Sequence, residues 1–123
     1  MNKFNNLSTS ELSNLIKSRE ISSEELVKAS LSDINSKDKK INSFITINED
    51  LSVKEAKKID KALKNNEMDH KFLTGIPIML KDNISTKGIK TTAGSKILEN
   101  YIPPYDAHVT KKIIKNGGII IGK

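Results

Sequence analysis

The sequence predicts an α/β chain in which helices come first and a strand, connector, helix, strand unit follows. Three observations carry this. Two capping signatures, Ser8-Thr9-Ser10-Glu11 and Ser22-Ser23-Glu24-Glu25, open amphipathic stretches in the first half. From Gly75 onward the helical stripes give way to short apolar runs, Ile76 to Leu80 and Gly118 to Ile121, divided by Gly, Pro and polar turns. Between those runs Val109, Ile113 and Ile114 recur at helical spacing, which suits a crossover helix placing both runs in one sheet.

The first helix opens at Ser8, whose hydroxyl can accept from a first-turn amide while Glu11 reaches back and Leu7 packs on Leu12. Leu12, Leu15 and Ile16 mark its buried stripe. Ile21 to Leu26 repeats the device, and Leu26, Val27, Leu31 and Ile34 mark the stripe of the second helix. Each cap satisfies amides that a helix start leaves unpaired and contributes about 1 kcal/mol. Ser36 to Lys40 reads as a charged turn, and Ile41 to Ile47 as a short extended segment rich in β-branched residues. A third helix is expected from Leu51 to Lys64, with Leu51, Ala56, Ile59 and Leu63 inward and Lys54, Lys57, Lys58 and Lys61 toward water, ended by Asn65-Asn66.

In the second half, Ile76 to Leu80 is too short for a helix and continuous enough for a buried strand. Pro77 places itself at an unpaired edge or near the strand start. Ile102-Pro103-Pro104-Tyr105 is a rigid extended connector, because each proline restricts the residue before it. Asp106 is expected to cap the next helix, Gly117 to end it in the left-handed conformation, and Gly118 to Ile121 to form the second buried strand. Parallel strands normally have neighbours on both sides and helices on both faces, so these runs imply a larger sheet. The whole reads as a single incomplete domain over 1–123, helical over 1–70 and α/β over 71–123.

The 123 residues, 36% hydrophobic and 29% charged, suit one globular unit, and with 4% aromatics and no Trp its core must be Ile, Leu and Val. A net charge of +6 would favour an acidic partner such as tRNA. The basic residues are nearly all Lys, spread from Lys3 to Lys123, with Arg19 the single arginine, so solvated lysine faces outweigh a nucleic-acid patch. The absence of Cys excludes disulfides, thiolate metal sites and thiol nucleophiles. No apolar run approaches the ~20 residues of a membrane span, and the polar start Met1 to Asn6 lacks a secretory pattern. A cytoplasmic or organellar-matrix protein without membrane contact is the simplest expectation.

Chemistry concentrates at Gly75-Ile76-Pro77-Ile78-Met79-Leu80-Lys81-Asp82-Asn83, where an apolar run delivers a lysine to its far end. Burial by that run would lower the pKa of Lys81 enough to make it a base, with Asp82 and Asn83 positioning it. The same pattern also fits a lysine that snorkels from a strand end into water. Ser85 and Ser95 are better read as turn or packing residues than as nucleophiles. His70, in a polar loop, and His108, in a first helical turn, have no partner at metal-ligand spacing, and the acidic residues are dispersed, so no metal site is expected. Gly122-Lys123 does not form a phosphate-binding loop.

The words Gly-Ile-Pro-Ile-x-x-Lys-Asp-Asn-Ile from Gly75, Thr-Lys-Gly-Ile-Lys-Thr-Thr-Ala-Gly-Ser from Thr86 to Ser95, Pro103-Pro104-Tyr105-Asp106-Ala107 and Gly117-Gly118-Ile119-Ile120-Ile121-Gly122-Lys123 resemble the amidase signature family. The resemblance runs through the whole chain in order. It implies the family's mixed sheet with helices, here its N-terminal portion. It also implies that Lys81 is the catalytic lysine, accepting a proton relayed from a nucleophilic serine through a second serine held by a cis peptide bond. The family's Gly-Gly-Ser-Ser-Gly-Gly stretch, which carries the bridging serine and leads to the nucleophile, has no match here, so the chain alone is expected to be inactive.

Within the family, the residues after Lys81 are most similar to the glutamine-hydrolysing tRNA amidotransferases, whose A subunits release ammonia from glutamine. The resemblance then implies B and C subunits as partners, C clamping A to B. ATP and magnesium would belong to B, and no cofactor to this chain. The substrate of the complex would be misacylated tRNA, glutamyl-tRNA(Gln) or aspartyl-tRNA(Asn). Stand-alone amidases share the Lys-Asp-Asn core, so a fragment of such an enzyme, or a non-catalytic docking module, stands as the alternative.

Overall fold

The computed structural model describes residues 2–123. Its elements follow in the order α1 (Thr9–Lys17), α2 (Ser23–Ile41), α3 (Glu49–Lys64), β1 (Pro77–Met79), a 3-10 turn (Lys96–Leu98), α4 (His108–Lys115) and β2 (Ile119–Gly122). The expected order, helices first and then a strand, connector, helix, strand unit, is the one observed.

The cap of α1 forms as its sequence predicts: Ser8 Oγ accepts from the Glu11 amide at 3.2 Å, and Glu11 Oε2 accepts from the Ser8 amide at 2.7 Å. Leu7 and Leu12 pack against a buried cluster of Phe4, Ile16, Leu26 and Ile76. At α2, Ser22 accepts from the Glu25 amide at 3.0 Å, but the rest of the cap comes from elsewhere. The Asp60 carboxylate of α3 accepts from the Ser23 and Glu24 amides at 2.8 and 2.9 Å, placing a negative charge against the positive end of the helix dipole.

Three expectations for the first half need correction. Ser36 to Lys40 is helix, not turn: α2 continues to Ile41 and closes at Asn42, which is left-handed. No Gly or Pro interrupts 36–41, Lys39 and Lys40 suit a helix C-terminus, and Asp38 stabilises the exit by accepting from the Ser43 amide at 2.8 Å. The extended segment therefore shortens to Ser43 to Ile47. It lies antiparallel along β2, with Lys123 N donating to Thr46 O at 2.8 Å and Asn48 N to Ile121 O at 2.9 Å. The third helix starts at Glu49 rather than Leu51, and Leu51 is exposed, while Ala56 is buried and Ile59 and Leu63 are half-buried.

β1 and β2 pair in parallel, Pro77 opposite Ile119 and Ile78 opposite Ile120, with an irregularity before Met79 opposite Gly122. Pro77 sits at the strand start, as its missing amide requires. Every residue of β2 is buried, since it runs between β1 and the 43–47 segment. Its side chains alternate: Ile119 and Ile121 join Val27, Leu31 and Ala56 of the helices, whereas Ile120 joins Leu80 and Ile89 on the opposite side.

Asp106 does not cap α4. The helix starts from Ala107 without a side-chain cap, and the Asp106 carboxylate instead accepts from the Lys87 amide at 2.7 Å. Ser85 O takes over the anchoring, accepting from Ala107 N at 2.9 Å and from Thr110 Oγ1 at 3.0 Å. The expected stripe also rotates: Val109 and Ile114 are exposed, and Thr110 and Ile113 face the sheet. Gly117 ends the helix with a φ of +85°, as predicted. Residues 102–105 carry no regular structure, and Pro103 is buried.

Candidate active site

The backbone around Lys81 is held from both sides. Before it, Leu80 N donates to Gly122 O at 3.1 Å and the Leu80 side chain packs with Ile89 and Ile120. After it, Asp82 is tied to the far end of the following loop: its carbonyl accepts from Ala93 N at 2.7 Å, and its Oδ2 accepts from Thr92 N at 3.0 Å and from the Thr92 hydroxyl. Residues 82 to 93 thus form a loop closed at its neck, immediately after the strand end.

This geometry corrects one expectation. The apolar run does not bury Lys81. Extended backbone alternates its side chains, so Leu80 and Asp82 point inward while Met79 and Lys81 point out. Asp82 therefore steadies Lys81 through the main chain, with its carboxylate turned to Thr92. Its second oxygen, Oδ1, is buried without a hydrogen-bond partner. Asn83 is exposed.

The buried lysine is Lys123, only 2% exposed. Its ammonium enters the 82–93 loop and donates to Ile84 O, to Thr86 Oγ1 at 2.8 Å and to Thr91 Oγ1 at 3.2 Å. Three N–H donors meet three acceptors, which is the full capacity of the group. Burial holds the Lys123 pKa below the usual lysine range, and the Asp82 carboxylate opposes that shift. Sequence reasoning assigned Lys123 no role of its own: Gly122-Lys123 entered as the end of a family motif and was set aside as a phosphate loop. The overlooked signal was a lysine one glycine beyond a buried isoleucine run, in a chain that also carries Thr86, Thr91 and Thr92.

The remaining candidates lie outside this cluster. Ser85 anchors α4 through its carbonyl, and Ser95 donates its amide to Thr92 O at 2.9 Å and starts the 3-10 turn. His108 is exposed at the first position of α4. His70 is half-buried with Nε2 unpartnered, and burial, aided by the Lys17 charge, lowers its pKa. Among the described residues no group of three or more His, Cys, Asp or Glu could hold a metal ion.

A surface lysine on a braced strand end, beside a loop filled by a second lysine, occupies the stretch on which the sequence resemblance rests. The family model for Amidase matches residues 25–123 and so includes the whole of this arrangement. The chain belongs to the amidase signature family. It is 50% identical over 117 residues to the A subunit of glutamyl-tRNA(Gln) amidotransferase from Thermoanaerobacter pseudethanolicus, a match covering 95% of this chain and 24% of that protein. The protein of the same name from Prochlorococcus marinus is 48% identical over 114 residues, covering 92% of this chain and 23% of its own length. The chain thus spans about a quarter of the length of the curated relatives it matches.

Among solved structures, the native peptide amidase of Stenotrophomonas maltophilia aligns with all of this amidase-family chain and 25% of its own, at a TM-score of 0.92 and 28% identity. A bacterial aryl acylamidase of the same signature family shares the fold at a TM-score of 0.86 and 21% identity. The helices and small parallel sheet of this amidase-family chain are therefore a partial α/β amidase fold, as predicted.

Proposed function

We propose that the chain is the N-terminal part of the glutamine-hydrolysing A subunit of a glutamyl-tRNA(Gln) amidotransferase, with Lys81 as the proton acceptor of its amidase reaction. The observation that carries this is the 50% identity to an amidotransferase A subunit over 117 residues, a stretch that includes the braced Lys81. In this reading the neutral Lys81 amine takes the proton relayed from an attacking serine as the acyl-enzyme forms, then returns it to the departing ammonia. The serines come from the rest of the full-length protein, and the 123 residues alone do not turn over glutamine. Lys81 is exposed here, and in this reading the remainder of the full-length protein covers it. The released ammonia then serves a B subunit that holds ATP and magnesium, in a complex clamped by a C subunit, with glutamyl-tRNA(Gln) or aspartyl-tRNA(Asn) as substrate in the cytoplasm or an organellar matrix.

The test is Lys81→Ala in the full-length protein within its complex. Loss of a positioned base is expected to lower glutaminase turnover by about 100- to 10,000-fold, while far-UV circular dichroism stays unchanged, because the main chain around Lys81 is held through Leu80 and Asp82 rather than by the Lys81 side chain. Lys81→Arg, which preserves charge but cannot deprotonate, is expected to be as inactive. Turnover retained in either variant would remove Lys81 from the mechanism.

A further inference from the structure

We propose that Lys123 is a positioning residue for Lys81: its ammonium fills the 82–93 loop and, with Asp82, fixes the direction in which the base lysine leaves β1. This rests on the reading of Lys81 as the base. The two lysines are linked through short, directional connections. Lys123 lies at the end of β2, whose Gly122 carbonyl holds the Leu80 amide at 3.1 Å, so the strand that carries one lysine registers the residue before the other. The Lys123 ammonium then ties Ile84, Thr86 and Thr91 together inside the loop, and Asp82 closes its neck through Thr92 and Ala93. Lys81 stands between these two fixed points.

Charge also holds the cluster together. Asp82 is buried and its Oδ1 has no hydrogen-bond partner, and the Lys123 ammonium supplies the opposite charge within the same loop. The other charges facing the cluster sit nearer water: Lys90, Lys96 and Glu99 line a groove with Thr92, and Lys87 and Asp106 lie on the Thr86 side. Solvent screens them, whereas the Lys123 and Asp82 charges are enclosed.

The experiment is the steady-state kinetics of glutamine hydrolysis by the full-length protein in its complex, with competent sites counted by labelling to completion with an electrophilic glutamine analogue. Lys123→Met keeps most of the length of the side chain and removes its charge and donors. Misplacing a base changes the chemical step rather than substrate binding, so kcat per labelled site is expected to fall about tenfold or more with KM within about twofold. A merely structural role would reduce the number of labelled sites and leave the kcat of each site unchanged, and that result overturns the proposal. If Lys123→Met does not fold, Thr91→Val, which removes one acceptor of the Lys123 ammonium, is expected to lower kcat per labelled site in the same way, and an unchanged kcat per site is equally fatal. Lys81→Ala run in parallel separates the two readings: its retained activity removes the base assignment, whereas its inactivity beside an unaltered Lys123→Met removes only the positioning role.

Discussion

Gly117 is the point at which α4 must turn into β2. Its φ of +85° is one that a side chain disfavours, and a Cβ there would lie 2.7 Å from Thr74 Cα and 2.8 Å from Thr74 Oγ1. The close approach is not incidental, because the Gly117 carbonyl accepts from Gly75 N at 2.8 Å and so aligns the entry of β1 with that of β2. Gly117→Ala combines backbone strain with a clash against main chain and is expected to cost about 2–4 kcal/mol of unfolding free energy in urea. An unchanged midpoint would mean that β2 shifts freely at this junction. At this scale the sequence was legible where the constraint is local: the glycine after an apolar helical stripe announced its own conformation. It misled where two residues shared one pattern. Lys81 and Lys123 each follow an apolar run, and only register decides that the first emerges on the outward face while the second enters the 82–93 loop. Register is a property of paired strands, and no window around either lysine contains it.

The helix starts show the same division between local and distant causes. In the capping box of α1, hydrogen bonds from Ser8 hold the Glu11 carboxyl below its usual pKa of 4.5. A carboxyl whose pKa is lower when folded adds stability that is complete above about 4.5 and disappears as the pH falls through the lowered value. Glu11→Gln can keep a capping hydrogen bond without the charge. The stability gap between the native chain and this variant should therefore be largest near neutral pH and close on acidification below about 4.5, as read by denaturant unfolding. A gap that does not change with pH would assign the cap to geometry alone. Capping boxes lie within four residues and were readable in advance. The second half of the α2 cap was not, because Asp60 reaches it from more than thirty residues away. The failed cap at Asp106 has the same origin, since the carboxylate found the Lys87 amide rather than its own helix.

At the scale of the whole chain, the division into a helical part over 1–70 and an α/β part over 71–123 describes the order of elements and not their energetics. One core joins Val27, Leu31 and Ala56 to Ile119 and Ile121, and a second joins Phe4, Ile16 and Leu26 to Ile76, so both cross the boundary. The 43–47 segment also pairs with β2 from the helical side. Burying a single Val, Leu or Ile contributes about 1.5–3 kcal/mol, and the net stability of a domain is about 5–15 kcal/mol. Separating the two parts would expose several such side chains at once and exhaust that margin, so neither part is expected to stay folded after the other opens. Native-state hydrogen exchange in increasing denaturant tests this on the amides of Val27, Leu31, Ile119 and Ile121. All four should merge into one unfolding isotherm. If the α2 amides instead stay protected after those of β2 have exchanged, the helical part is a unit of its own and the shared core is not what holds the chain together.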